Sequence, residues 1–497
     1  MKSLTKLITV LLVIAMAAAL FAGCGQKPAG DPVVPTDKPG TNPTETPVET
    51  GEPAEVVPLK WVVVGGGMPE NYDQWKANID PYLAEKIGVN IDVEVVSWGD
   101  WGNRRNVIVN SGEPFDILFT NVDTYVSDVN LGAYYDITDL LNQHAPELVA
   151  YIPDQYWDAS MVNGKIYAVP TYKDSSITQY FVWDKAKAEK YGIDYENIHD
   201  VAGLDSALRA IKEGEGSPAL LLDANGFNQV MFQYDSGGVG DLPVGVRFDD
   251  QNRKVVYTLE QEDVISQLEY IHKWYKEGII NADAAAVSEV PSYRPFFVAQ
   301  GWSLAAKTVW GPSMGVEAAA IQYGETIVSN DSVRGSLNAV SASSQYPGKA
   351  LEFLQLVNLD TKVRDAFYYG LEGDNFEYVD GKVKKLNTNW TMAGYTQGTF
   401  FTVSQLVDDE FNQWEEVKQL NEKAKPSVLL GFTTDTSSIE NEIANCRSVY
   451  AKYKSELFTG TKDPKVLIPQ LKEELDAAGF GKIIETMQSQ IDAAFGG

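Results

Sequence analysis

Residues 60–67 read KWVVVGGG, an unbroken apolar run closed by three glycines. Such a run, bounded by a turn signal, predicts a short strand buried on both faces. Immediately after it, Asn71 to Ile87 places Tyr72, Trp75, Ile79, Tyr82, Leu83 and Ile87 at helical spacing. Val89, Ile91, Val93 and Val95 then alternate with polar residues, which predicts a second strand. A helix near Asn103 to Asn110, a strand over Phe115 to Phe119 (FDILF) and a helix near Val122 to Leu131 follow. This βαβαβα order predicts an α/β fold, a parallel sheet with helices on both faces. Ligands of such sheets sit beyond the carboxyl ends of the strands. Those ends carry Gly65 to Gly67, then Ser97, Trp98, Asp100 and Trp101, then Thr120 and Asn121.

Further along, Arg247 to Tyr257 and Phe376 to Lys384 turn at Asp249-Asp250-Gln251-Asn252 and Asp380-Gly381, and both predict β-hairpins. Val264 to Lys276 predicts an amphipathic helix with Val264, Ile265, Leu268, Ile271 and Tyr275 inward. The last ninety or so residues are expected to be mostly helical, broken at Asp463-Pro464 and at Gly479.

Composition narrows the function. The 497 residues carry 69 Asp and Glu against 40 Lys and Arg, a formal charge of −29, with 2 Cys and 3 His. So acidic a surface repels phosphate backbones and anionic lipid heads, which argues against nucleic-acid or polybasic membrane binding. Two cysteines make no disulfide scaffold, and His144, His199 and His272 are too scattered for a structural zinc site. The core must be ordinary and hydrophobic, and the length suits roughly two to four domains. The 11 Trp and 25 Tyr exceed what a core needs, and both are flat rings with a polar edge.

At the amino terminus, Lys2 and Lys6 precede an apolar run from Leu7 to Leu20 that is too short to span a bilayer, which predicts a signal peptide over residues 1–23. Leu20-Phe21-Ala22-Gly23-Cys24 resembles the bacterial lipobox, implying cleavage before Cys24 and lipidation of its thiol. Ordinary secretion with a free Cys24 is the plainer alternative. Loss of Lys2 and Lys6 would leave a charge of −31. Residues 24–58 read as a lipid-anchored disordered linker, with Pro28, Pro32, Pro35, Pro39, Pro43, Pro47, Pro53 and Pro58 and no aromatic residue. Extended, it would reach roughly 100 Å.

Several segments together resemble one family. Gly164 to Pro170 (GKIYAVP), Phe115 to Asn121 (FDILFTN), Trp274 to Asn281 (WYKEGIIN), Gln300-Gly301-Trp302 through Val309-Trp310-Gly311-Pro312, and Pro347 to Leu354 (PGKALEFL) are similar in order to substrate-binding lipoproteins of bacterial ABC sugar importers. Tyr368 to Gly373 (YYGLEG) resembles the oligosaccharide-binding, LplA-like subgroup. The resemblance implies a two-lobed periplasmic-binding-protein-like fold with hinge strands and a helical C-terminal part. Residues 59–172 with 336–395 would form lobe 1, and 173–335 with 396–497 lobe 2. It implies capture of a carbohydrate, an oligosaccharide, without catalysis or cofactor, by an extracytoplasmic monomer that delivers the sugar to membrane permease subunits.

Rival chemistries fit less well. Gly311-Pro312-Ser313-Met314-Gly315 matches a nucleophile elbow, but that fold places its histidine after the serine, and every histidine here precedes residue 273. Gly65 to Gly67 suggests a dinucleotide loop, yet Glu70 stands where the third glycine belongs. Asp249-Asp250 lacks the alternating ligands of a calcium loop. An extracellular carbohydrate-active enzyme stays open, because paired carboxylates cannot be placed from sequence. So does a binder of another solute such as a peptide.

A sugar presents an apolar C–H face and a rim of hydroxyls, so its site pairs aromatic planes with carboxylates, amides or a lysine. The candidates are Trp98, Asp100, Trp101 and Asn103 after the second strand, where one tryptophan has equal claim to pack under the helix. Thr120 and Asn121 end the next strand, with helix capping as the structural alternative. Tyr172, Lys173 and Asp174 lie where the resemblance puts the first crossing between lobes. Trp302, Lys307 and Trp310 complete the second-lobe set; by resemblance Trp310 is near a stacking position. Tyr234, Asp235, Trp390 and Glu372 are further candidates, with Tyr395 and Asp374 behind them. Trp61, Trp75, Trp274 and Trp414 fall within regular patterns and read as core. Cys446 has no partner once Cys24 is lipidated.

Overall fold

The computed structural model describes residues 56–496. The expected signal peptide, Cys24 and nearly all of the expected linker lie outside the described residues. In chain order the first lobe builds β1 (Val57–Gly65), α1 (Tyr72–Ile87), β2 (Val89–Ser97), α2 (Trp101–Ser111), β3 (Ile117–Thr120), α3 (Tyr125–Asn130) and β4 (Ala168–Pro170). The chain crosses to β5 (Ile177–Asp184), α4 (Val201–Glu215), β6 (Tyr234–Asp235), β7 (Val244–Arg247), β8 (Val256–Tyr257), α5 (Glu262–Lys276), β9 (Phe296–Gln300) and β10 (Ala318–Val328). It returns through α6 (Asn330–Val333) to β11 (Leu337–Val340), α7 (Pro347–Leu359) and α8 (Thr361–Tyr368). A third passage leads through α9 (Gln413–Lys423) and β12 (Lys425–Pro426) to α10 (Glu440–Phe458), α11 (Pro464–Ala477) and α12 (Phe480–Phe495).

The first sheet has the order β2-β1-β3-β11-β4. β1 runs parallel to β2 and β3, while β11 is antiparallel to both β3 and β4. Gly65 opposite Ser97, and Leu337 opposite both Thr120 and Pro170, put all five residues at one end of the sheet. Helices cover both faces, so Trp61 to Val64 are wholly buried, as the unbroken run predicts. On β2 the alternation is real: Ile91 and Val93 are buried, Asn90 and Asp92 exposed. α1 ends at Gly88, whose φ of 67° is the left-handed closure glycine allows at low cost. Its buried stripe of Trp75, Ile79 and Leu83 meets Trp61, Phe353 and Phe367 in the first core.

The second sheet, β9-β5-β10-β12, backs onto a separate core containing Trp183, Leu208, Trp274, Leu471 and Ile483. Gln300 faces Gln179 on β5, and Ile327 of β10 faces Ile177. The start of β5 and the ends of β9 and β10 therefore share the end at which the chain passes between lobes. Both hairpins form; Asp380 and Gly381 sit at φ 51° and 80°, the turn geometry that matches strand twist. In α5 Trp274 is buried, as expected, and Tyr275 is half-buried against the core with its hydroxyl donating to the Ala282 carbonyl.

Polar side chains tie the crossings together. Thr171 and Ser336 hydroxyls lie 3.0 Å apart, Ser336 Oγ donates to the Thr396 carbonyl at 3.2 Å, and Asn338 Nδ2 donates to the same carbonyl at 3.1 Å. Buried polar groups need such partners. Here they join the first and second crossings to the Thr396 segment at the carboxyl end of the first sheet.

Candidate interlobe binding site

Close backbone approach shapes the first-lobe face. Gly66 N–H donates to the Thr391 carbonyl at 2.7 Å, and Gly65 bridges Met392. A Cβ at Gly65 would stand 2.6 Å from the Thr391 oxygen, so only glycine fits. The segment from Thr391 is thereby laid across the strand ends and delivers Tyr395 to Trp98. The two rings lie within 11° of parallel with centroids 6.2 Å apart. Trp98 is 53% and Tyr395 45% exposed. The pair leaves aromatic surface open at the carboxyl end of the first sheet, the end at which ligands of α/β sheets sit.

The neighbouring candidates divide. Trp101 packs into the core beneath α2, 5.4 Å from Phe119. Asp100 accepts from Ser97 Oγ at 2.6 Å at the start of α2, and Asn103 is exposed on its first turn. Thr120 is buried with its hydroxyl 3.1 Å from that of Thr124; Asn121 Oδ1 accepts from the Asp123 N–H at 3.3 Å, shaping the turn into α3.

Tyr172, expected at the crossing, is only 3% exposed, packs edge-on against Phe401 and Tyr151, and has Tyr156 tilted against it. It is a core residue because three aromatic neighbours close over it. Lys173 and Asp174 form a 2.6 Å ion pair on the crossing itself.

In the second lobe, Trp302 follows β9 at the end that faces the crossings. Its ring lies 5.7 Å from Trp414, which lies 4.3 Å from Phe400, and its Nε1 is buried without a partner. Lys307 is exposed, 5.6 Å from the Phe411 ring, beside a depression of about 600 Å³ that also touches Glu317 and Glu410. Trp310 instead packs on Tyr180 and Phe297, 6.0 and 6.3 Å away, in a small core of the second lobe.

The remaining candidates stand apart. Tyr234 donates to Asp263 at 2.8 Å beneath Arg247, an intralobe contact. Asp235 is 6% exposed, accepts from the Gly237 N–H at 2.9 Å, and leaves Oδ2 without a partner. Burial first, and the Asp331 carboxylate second, push its carboxyl up to about 6. Trp390 donates to the Phe367 carbonyl at 3.0 Å and tilts against Trp75, so it closes the first core. Glu372 is exposed on the turn before the second hairpin, and Asp374 accepts from Asn71 at 2.6 Å.

Between the lobes, a cavity of about 710 Å³ is lined by Val122 and Asp123 from the first lobe, Asp331 and Arg334 from the second crossing, and Thr434 and Arg447 from the second lobe. That volume suits a small-molecule or oligosaccharide site. Among the described residues no cluster of three or more His, Cys, Asp or Glu is arranged for a metal. Ser313 lies in a four-residue helix, and the three histidines bond elsewhere, to Glu352, the Gln322 carbonyl and the Gly460 carbonyl.

Residues 77–370 match the bacterial extracellular solute-binding protein family. The chain belongs to that family. Residues 428–495 of the solute-binding protein also match a domain of unknown function, and cover the last three helices. A carbohydrate ABC transporter substrate-binding protein of Streptococcus pneumoniae serotype 4 (strain ATCC BAA-334 / TIGR4) is 29% identical over 456 residues, covering 86% of this chain and 89% of the relative. The crystal structure of the N-glycan transport solute binding protein NgtS from Streptococcus pneumoniae superposes with a TM-score of 0.79 at 27% identity, covering 88% of this chain and 98% of that one. NgtS in complex with Man5GlcNAc gives 0.67 at 26% identity and the same coverage. The family is extracellular, which places the folded body outside the cytoplasm.

In the sequence Tyr395 stands behind the main candidates and Trp414 reads as core. Neither has a local signal, since Tyr395 gains its place through the Gly65–Thr391 approach and Trp414 through a partner more than a hundred residues away.

Proposed function

We propose that this protein is the capture component of an ABC importer, taking up a carbohydrate of oligosaccharide size in the cleft between its lobes and handing it to membrane permease subunits. The observation that carries this is the open Trp98–Tyr395 pair at the carboxyl end of the first sheet, a flat apolar surface suited to the C–H face of a sugar. Asp100 and Asn103 follow Trp98 in the same turn, and Asn121 and Asp123 follow the carboxyl end of β3 in the same sheet, offering hydroxyl acceptors and donors at that end. Trp302 provides aromatic surface from the second lobe. Because ligand touches both lobes only when they close, it shifts the open–closed equilibrium by the difference in contacts. The names of the relatives, a carbohydrate transporter subunit and an N-glycan binder, support the sugar reading.

The lobe boundaries belong to the same proposal. Arg364 donates to the Thr399 and Gly398 carbonyls at 2.7 and 3.1 Å, and Val403 packs with Tyr369 and Phe376. This favours extending lobe 1 from the expected residue 395 to about 407. Cys24, if lipidated, tethers the monomer to the membrane through its proline-rich linker.

Calorimetry against neutral oligosaccharides, including Man1GlcNAc and Man5GlcNAc, with the sugars recovered afterwards, tests the reading. Heat of binding with the sugar returned intact supports it. Hydrolysed sugar points to an enzyme, and silence across the panel with heat from peptides points to another solute.

A further inference from the structure

α9 contacts the first crossing and the Trp302 turn, and the strand that follows it pairs at the root of the second crossing. Near its carboxyl end, Asn421 is 1% exposed and brackets the first crossing: its Oδ1 accepts the Ser176 N–H at 3.1 Å and its Nδ2 donates to the Lys173 carbonyl. Near its amino end, Glu416 accepts the N–H groups of Ser303 and Leu304 at 2.7 and 2.9 Å, capping the turn that carries Trp302. One turn earlier, Gln413 accepts from Thr308 Oγ1 at 2.9 Å. Between these anchors Trp414 lies against Trp302. Past the last turn, β12 pairs with β10 at Ile327 and Val328, the root of the second crossing.

Helical geometry makes these contacts a rigid set. Eleven residues span about 15 Å, and the five-residue step from Glu416 to Asn421 turns them about 140° apart. The helix therefore stands between the hinge on one side and the Trp302 turn on the other. A carboxylate facing two adjacent backbone N–H groups and an amide facing one N–H and one carbonyl are directional contacts that packing alone does not supply.

We propose that α9 is a strut that sets the Trp302–Trp414 wall against the hinge, with Asn421 and Glu416 as its positioning residues. Neither needs to touch the ligand. Asn421 fixes where the strut meets the first crossing, and Glu416 fixes where the wall meets the strut. This deepens the carbohydrate-binding reading by naming what holds its second-lobe wall.

The test uses the full chain with Asn421→Ala, Asn421→Asp and Glu416→Gln. Small-angle scattering without ligand reads the interlobe arrangement, tryptophan emission reads the wall, and calorimetry on the same oligosaccharide panel reads affinity. Asn421→Ala is expected to change the unliganded radius of gyration, with Asn421→Asp between it and the wild type because it retains the Ser176 acceptor. Glu416→Gln is expected to keep wild-type scattering, alter the emission spectrum and bind roughly ten-fold more weakly. Folded variants with wild-type scattering and emission would overturn the strut. If Asn421→Ala does not fold, unchanged emission in Glu416→Gln overturns it alone. A wild type that binds no sugar refutes the functional reading, while scattering and emission still decide the strut.

Discussion

Asp235→Asn should stabilise this protein at neutral pH. Asp235 lies at 6% exposure on β6, with one carboxylate oxygen bonded to the Gly237 N–H and the other bare. Asp331, on α6, accepts from Ser236 Oγ at 2.9 Å and adds a like charge nearby. Burial, then Asp331, raise the carboxyl from the usual 3.8 to about 6. The folded state thus holds this proton more tightly than the unfolded chain. The group's stabilisation is complete below the unfolded value and is lost as pH rises through the folded one. At about 1.4 kcal/mol per tenfold, a shift in this direction makes the ionised carboxylate, together with its Asp331 neighbour, cost on the order of a few kcal/mol at pH 7. An asparagine keeps an acceptor for Gly237 and carries no charge to desolvate. Thermal unfolding of both proteins at pH 4 and pH 7 checks this. The variant is expected to melt higher at pH 7, on the order of 5 °C, and to converge on the wild type at pH 4. A variant that melts lower at pH 7, or a difference that is equal at both pH values, refutes the reasoning.

Trp98→Ala and Tyr395→Ala should each weaken carbohydrate binding by about 0.5–1.5 kcal/mol, and the double variant by less than the sum, because each ring supports the other; calorimetry measures all three. Tyr172→Phe should leave both stability and affinity near wild type, whereas Tyr172→Ala should cost about 3–5 kcal/mol in denaturant unfolding, as for a large core side chain.

The elements with strong local patterns are legible in the sequence alone. β1 is apolar without interruption because helices cover both faces, and α1 repeats every three or four residues because one stripe meets the core. The helix breaks held as well: Asp463 caps α11 by accepting the Lys465 N–H at 2.9 Å, and Gly479 sits at φ 100°. The candidate site was less legible. Trp98 and Trp101 stand three residues apart in one turn, yet one ring is open and the other rests on Phe119. Nothing in the turn's sequence sorts them, because the start of α2 decides which side each takes. Tyr172 and Asp235 both looked available beside turns and crossings, and both are closed over by residues remote in sequence.

By itself, the sequence determined the alternation of strands and helices, the first sheet's carboxyl ends as the place to look, and the surplus of aromatic rings. Local periodicity and composition record these, since each depends on neighbours within a turn or a strand. Only the tertiary structure decided that Trp98 meets Tyr395 across nearly three hundred residues and that Trp302 meets Trp414. It also decided that the first two crossings meet the Thr396 segment through Thr171 and Ser336. Those choices are set by chain topology: a ring's exposure depends on which distant segment is laid over it, and no local pattern carries that information.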